Sequence, residues 1–114
     1  MAYYRNGEKR PTAIWECAAL ARIVRVECKE FRCSRVAHFD PHELWALFWR
    51  RGWDDEFKVA RHRFWCRECS KVAGVRVKNA RVMELDPLAG NVTHRLPLMA
   101  NEREWKHFLN RHKA

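Results

Sequence analysis

No run of apolar residues in this 114-residue chain approaches the roughly 20 needed to cross a bilayer. The opening stretch has no apolar core followed by a small-residue cleavage site, so no secretory signal is expected and the cytoplasm is the predicted compartment. In that reducing setting an odd count of five cysteines suits free thiols or metal ligation better than a disulfide framework. Internal repeats, low-complexity tracts and a clear linker are missing. So are paired carboxylates, a Ser/His/Asp set and a phosphate-binding glycine loop, which argues against an enzyme. With a composition that is 47% hydrophobic, including six Trp and six Phe, disorder is not the default reading. A single domain with a modest, aromatic-rich core is the expectation.

Excess charge of one sign is confined to one place. Residues 1–57 hold ten Lys/Arg against nine Asp/Glu, and residues 82–114 hold five against four. Residues 58–81 hold eight against the single Glu68, so most of the net +9 sits there. Solvated faces usually mix signs, and a one-sign block points to a polyanionic partner. Lys58, Arg61, Arg63, Arg67, Lys71, Arg76, Lys78 and Arg81 are therefore the candidate phosphate contacts, supplying position and affinity more than sequence readout.

Residues 1–12 are polar, are broken by Pro11, and read as a flexible arm ahead of one domain over 13–114. Residues 13–20 fit helix or strand. From Ala21 the alternation places Val24, Val26 and Cys28 on one side of a strand and Arg25 and Glu27 on the other, with "CSRVAHFD" returning as its hairpin partner. Asp40 as N-cap, Pro41 at the first helical position, Glu43 at the capping-box position and the staple pair Phe39 and Leu44 predict a helix that ends at Gly52. A second helix is expected over 54–64, with Phe57, Ala60 and Phe64 at helical spacing and Asp54 and Asp55 at its positive end. The pair invites a helix-turn-helix reading in which 54–64 enters the major groove. Val75 and Val77 read as a strand pairing back on 82–85, and "VTHRL" as another. A last helix over about 101–112 takes Asn101 as N-cap and buries Trp105, Phe108 and Leu109. Trp49, Trp53 and Trp65 sit in apolar surroundings that predict core packing in place of base stacking.

Cys28, Cys33, Cys66 and Cys69 are spaced C-x4-C and C-x2-C. A tetrahedral zinc ion needs four ligands, and two short turns that each present two thiolates supply them. Four thiolates leave no open position for water, so one such zinc is structural and rules out metal-assisted hydrolysis. Cys17, among Ile14, Trp15, Ala18 and Leu20, reads as a buried inert thiol. His38 and His62 lie near the cysteine pairs as substitute ligands, although a histidine so placed is more often a surface or packing residue.

The combination of "ECKEFRC" with "WCREC" resembles zinc-ribbon-like small proteins, in which a hairpin knuckle meets a later C-x2-C knuckle. The resemblance covers about residues 24–77 and implies that Cys28, Cys33, Cys66 and Cys69 match the ligand positions. The x4 spacing and the helical insertion depart from the pattern. Such proteins bind nucleic acid or other proteins, so the resemblance does not choose between those partners. "WCREC" also resembles the redox motif of thioredoxin-like proteins. There a buried strand precedes the motif, whereas "FKVARHRF" reads as a basic amphipathic helix and the stretch after Cys69 as no continuous helix.

The resulting expectation is a small α+β domain, zinc-ribbon-like, with hairpin knuckles, two inserted helices and a C-terminal helix. It holds one structural Zn2+ and binds nucleic acid, DNA ahead of RNA, in a regulatory role. The alternative from another class is a zinc-stabilised adaptor for an acidic protein partner, with a CxxC thiol oxidoreductase as a minor third. Neither a membrane nor a small-molecule substrate is expected.

Overall fold

Two stretches of alternating apolar residues flank the strongest helix signal in the chain, and the fold is organised around them. The computed structural model describes residues 3–5, 8–97 and 102–112. In chain order these form β1 (Tyr3–Arg5), β2 (Glu8–Arg10), α1 (Ile14–Ala19), β3 (Ile23–Cys28), β4 (Val36–Phe39) and α2 (Pro41–Arg51). There follow α3 (Phe57–Ala60), a 3-10 turn (Arg61–Arg63), α4 (Arg67–Ala73), β5 (Ala80–Leu85) and α5 (Glu102–His112). The fold is α+β, and its main sheet is antiparallel with strand order β4-β3-β5. In register, Glu27 of β3 faces Val36 on one side and Arg81 on the other. Val24 and Val26 are buried and Arg25 and Glu27 partly exposed, as the alternation predicts, while Cys28 is only partly buried and Ile23, of the Arg25 parity, is buried as well.

The α2 boundaries follow the capping signals. The Asp40 carboxylate accepts the N–H groups of His42 and Glu43 at 2.9 and 3.1 Å. At the other end Gly52 adopts φ 67°, a left-handed conformation that costs glycine little, and its N–H caps the carbonyls of Phe48 and Trp49. Glu43 does not close the capping box. Its carboxylate accepts the Leu96 N–H at 3.0 Å and pairs with Arg95 at 3.2 Å, which ties the 91–97 loop to the helix. Leu44 and Phe48 of α2 join Ile14 and Cys17 of α1 and Val24 of β3 in a fully buried cluster. Each such apolar side chain contributes about 1.5–3 kcal/mol by leaving water. Trp105 and Phe108 of α5 pack edge-on against Trp45.

β1 and β2 pair antiparallel, Tyr3 with Arg10 and Arg5 with Glu8. Several expectations change. The second helix does not span 54–64. Residues 54–57 are held by the chain start instead: Ala13 bridges Glu56, and the Phe57 N–H reaches the Thr12 carbonyl at 2.8 Å. Helix therefore begins only at Phe57, and Phe64 is already extended. One helical turn plus a 3-10 turn cannot serve as a recognition helix, so the helix-turn-helix reading falls. Val75 and Val77 form no strand with 82–85. That segment instead lies along β3, and Val77 makes an isolated bridge to Cys66. "VTHRL" reduces to one bridge between His94 and Phe39. The Asn101 cap lies outside the described residues. Among the described residues, no helix is long and apolar enough to cross a membrane.

Candidate metal centre and basic surface

The first cysteine pair brackets the β3–β4 turn. Cys28 is the last residue of β3, and its N–H donates to the Arg35 carbonyl at 3.0 Å. Arg32, at φ 62°, reverses the chain, and the Cys33 N–H donates to the Glu30 carbonyl at 3.0 Å. The second pair is built on a helix start: Cys66 is the N-cap of α4 and Cys69 lies in its first turn. This corrects the expectation of no continuous helix beyond Cys69. The Ser70 hydroxyl donates to the Cys66 carbonyl and accepts the Val77 N–H at 2.9 Å, which fixes the turn against the returning chain. Residues 77–79 then staple the two knuckles. The Cys66 N–H reaches the Val77 carbonyl at 3.1 Å, and the Lys29 N–H reaches the Asn79 carbonyl at 2.8 Å. Arg35 and Glu68 pair across the knuckles at 3.5 Å.

This scaffold gathers the four sulfurs. Cys28 Sγ lies 3.7 Å from Cys69 Sγ, Cys33 Sγ lies 3.9 Å from Cys66 Sγ, and all four fall within 4.8 Å of one another. Sulfurs bound to zinc at about 2.3 Å in a tetrahedron stand about 3.8 Å apart, so the cluster is of the size a single tetrahedral ion requires. The four cysteines could hold one metal ion. Crowding also shapes their ionisation. Burial opposes the Cys66 thiolate, but the Cys69 N–H and the neighbouring thiols outweigh it and hold that thiol below its ordinary value. Burial, followed by the other thiols, pushes Cys69 well up, and burial pushes Cys28 up as well. Four like-charged thiolates this close are stable together only around a cation.

Neither histidine joins the cluster. The His38 ring bonds the Asn91 carbonyl at 3.1 Å, and His62 is exposed on the 3-10 turn. Cys17 is fully buried, and burial raises its thiol far above the ordinary range, as expected of an inert cysteine.

All eight candidate phosphate contacts are exposed. Arg67, Lys71, Arg76, Lys78 and Arg81 belong to α4, β5 and the segment between them, the same stretch that carries Cys66 and Cys69, and Arg67 lines the groove beside Cys28 and Cys66. Lys58, Arg61 and Arg63 stand apart on α3 and the 3-10 turn, which pack on β5. Some of this charge is locally engaged: Lys71 with Glu68 at 3.9 Å and Arg81 with Glu27 at 3.8 Å. Arg63 lies over the Trp53 ring at 4.5 Å from its centroid. Arg35 was missed as a site residue, although its position two residues past Cys33 was a usable signal.

The tryptophans divide. Trp53 is partly buried against the core, as expected, but Trp49 and Trp65 are 39% and 43% exposed. Trp65 directly precedes Cys66 of the cluster. It lines a groove of about 490 Å3 that also touches Cys28, Cys66, Phe39 and Phe64.

No family of known proteins matches this chain, and neither does any curated protein or solved structure.

Proposed function

We propose that this chain is a structural-zinc protein that binds nucleic acid, DNA ahead of RNA, through the cationic surface around its cysteine cluster. The observation that carries the reading is the convergence of four sulfurs at tetrahedral spacing, two of them, Cys66 and Cys69, from the chain's one-sign basic block. Tetrahedral all-sulfur sites suit zinc or iron–sulfur chemistry. A mononuclear zinc fits a cluster whose sulfur pairs are 3.7 and 3.9 Å apart. Zinc here would hold β3 to α4 and supply folding energy, with no position left for water and no catalytic role. The arrangement is similar to a zinc ribbon at its first, hairpin knuckle and departs from one at its second, helical knuckle. Exposed cations on α4, β5 and the joining segment would contact phosphates.

A second reading has its own observation. Phe31 at the tip of the first knuckle, Val72 in the last turn of α4 and Val75 just beyond its Gly74 cap are exposed at 88%, 92% and 68%. Exposed apolar side chains beside a basic surface also fit an adaptor for an acidic protein.

The test is purification without nuclease, followed by metal analysis and binding to duplex and single-stranded DNA at rising salt. The reading expects about one zinc per chain and a log affinity that falls linearly with log salt. A protein that binds neither ligand at low salt removes the nucleic-acid reading and leaves the adaptor.

A further inference from the structure

The groove beside the metal centre carries an inference that rests on the nucleic-acid reading and narrows it. Its volume of about 490 Å3 falls within the usual range of small-ligand sites. Its apolar walls are Val36, Ala37 and Phe39 of β4 together with Phe64 and Trp65. The Phe39 ring centroid lies 5.8 Å from that of Phe64 and 5.6 Å from that of His94, so flat aromatic surfaces are concentrated here. Trp65 remains 43% exposed, with the Arg76 guanidinium 5.1 Å from its centroid.

Charge at the groove is cationic in effect. Glu27 and Glu68 line it, but Glu27 is paired with Arg25, Lys29 and Arg81, and Glu68 with Arg35 and Lys71. Arg35 and Arg67 line it as well, and Lys78 adjoins Asn79 on its wall. An aromatic slot rimmed by cations fits a flat, apolar-faced group that carries phosphates on either side.

We propose that the groove receives an unpaired base of single-stranded DNA, stacked against Trp65, with the flanking phosphates on Arg35, Arg67, Arg76 and Lys78. A base within a duplex is already stacked on both faces and would first have to be flipped out, which disfavours double strands. The apolar β4 wall offers little to a ribose 2′-hydroxyl, whose burial without a partner is costly, and so favours deoxyribose.

The test is fluorescence anisotropy with four labelled probes of about 12 nucleotides, a length within the range of single-strand sites. They are an oligo-dT strand, the same strand with abasic residues, a duplex, and an oligo-U strand. The proposal expects the dT strand to bind tighter than the other three. It also expects Trp65→Ala to weaken dT binding by roughly 5- to 100-fold, with little effect on the abasic strand and recovery in Trp65→Phe. Metal content of each variant reports whether the knuckle beside Trp65 is intact, and the comparison of dT with abasic strand in the parent protein needs no variant. Equal affinity for dT and abasic strands, with the salt dependence kept, overturns base stacking and leaves the nucleic-acid reading standing. Equal or tighter binding of oligo-U overturns the assignment to DNA. No binding of any probe at low salt overturns both.

Discussion

Reversing the charge of Arg76, Lys78 and Arg81 tests the basic surface with a magnitude that can be worked in advance. Each phosphate neutralised on duplex DNA adds about −0.9 to the slope of log affinity against log salt. Over a roughly fourfold rise in salt, one contact then costs about 3.5-fold in affinity and three together about 40-fold. Replacing the three with Glu should flatten the slope by about 2.7 and weaken binding to all sequences alike. The fold should survive. Arg81 is 61% exposed and 3.8 Å from Glu27, a pair that contributes about 0–1 kcal/mol before solvent screening reduces it. Arg76 loses a ring contact with Trp65 at 5.1 Å that contributes about 0.5–1 kcal/mol at an exposed site. The matched control reverses Arg103, Lys106 and Arg111, which are exposed on α5, away from the knuckles in the chain. Anisotropy titrations at several salt concentrations, with metal content and melting curves alongside, give the comparison. A three-site variant with the parent's slope, or a control that flattens equally, refutes a localised phosphate surface.

Other outcomes follow from the core, the caps and one partly buried carboxylate. Phe48 is 1% exposed and packs on Trp53 and Phe64, so Phe48→Ala should lower unfolding free energy by about 3–5 kcal/mol in urea titrations. Asp40→Ala removes two N-cap hydrogen bonds and should cost about 1 kcal/mol, read as a fall of about 4 °C in melting temperature. Burial holds the Asp55 carboxyl above its usual range despite the Trp15 N–H at 2.8 Å. With the folded value raised, the stability Asp55 contributes is complete below its unfolded value and is lost as pH rises through the folded one. Asp55→Asn should therefore gain stability relative to the parent as pH increases across that window, in urea titrations at stepped pH.

Local signals were readable where the chain satisfied them locally. The Asp40–Pro41 start and Gly52 stop of α2 depend on residues within a few positions of each other, and both appear as read. The β3–β4 hairpin follows from alternation over adjacent residues. The misreadings have distant causes. Asp54 and Asp55 look like a helix start, yet the 54–57 backbone is recruited by Thr12, Ala13 and Ile14, some forty residues earlier. Val75 and Val77 alternate like a strand, but Val77 serves to hold Cys66. For the site, cysteine spacing alone identified the four sulfurs that the fold brings together. It could not reveal that the second pair caps a helix, nor that Trp65 faces outward into a groove, because both depend on how residues 66–79 return across β3.

The most direct test of the account is elemental analysis of the purified chain, set against its cysteine variants. The account predicts about one zinc per chain, retained in Cys17→Ser and lost together with cooperative melting in a Cys66→Ser/Cys69→Ser double variant. A parent protein free of metal, or a double variant that keeps stoichiometric zinc, would contradict it.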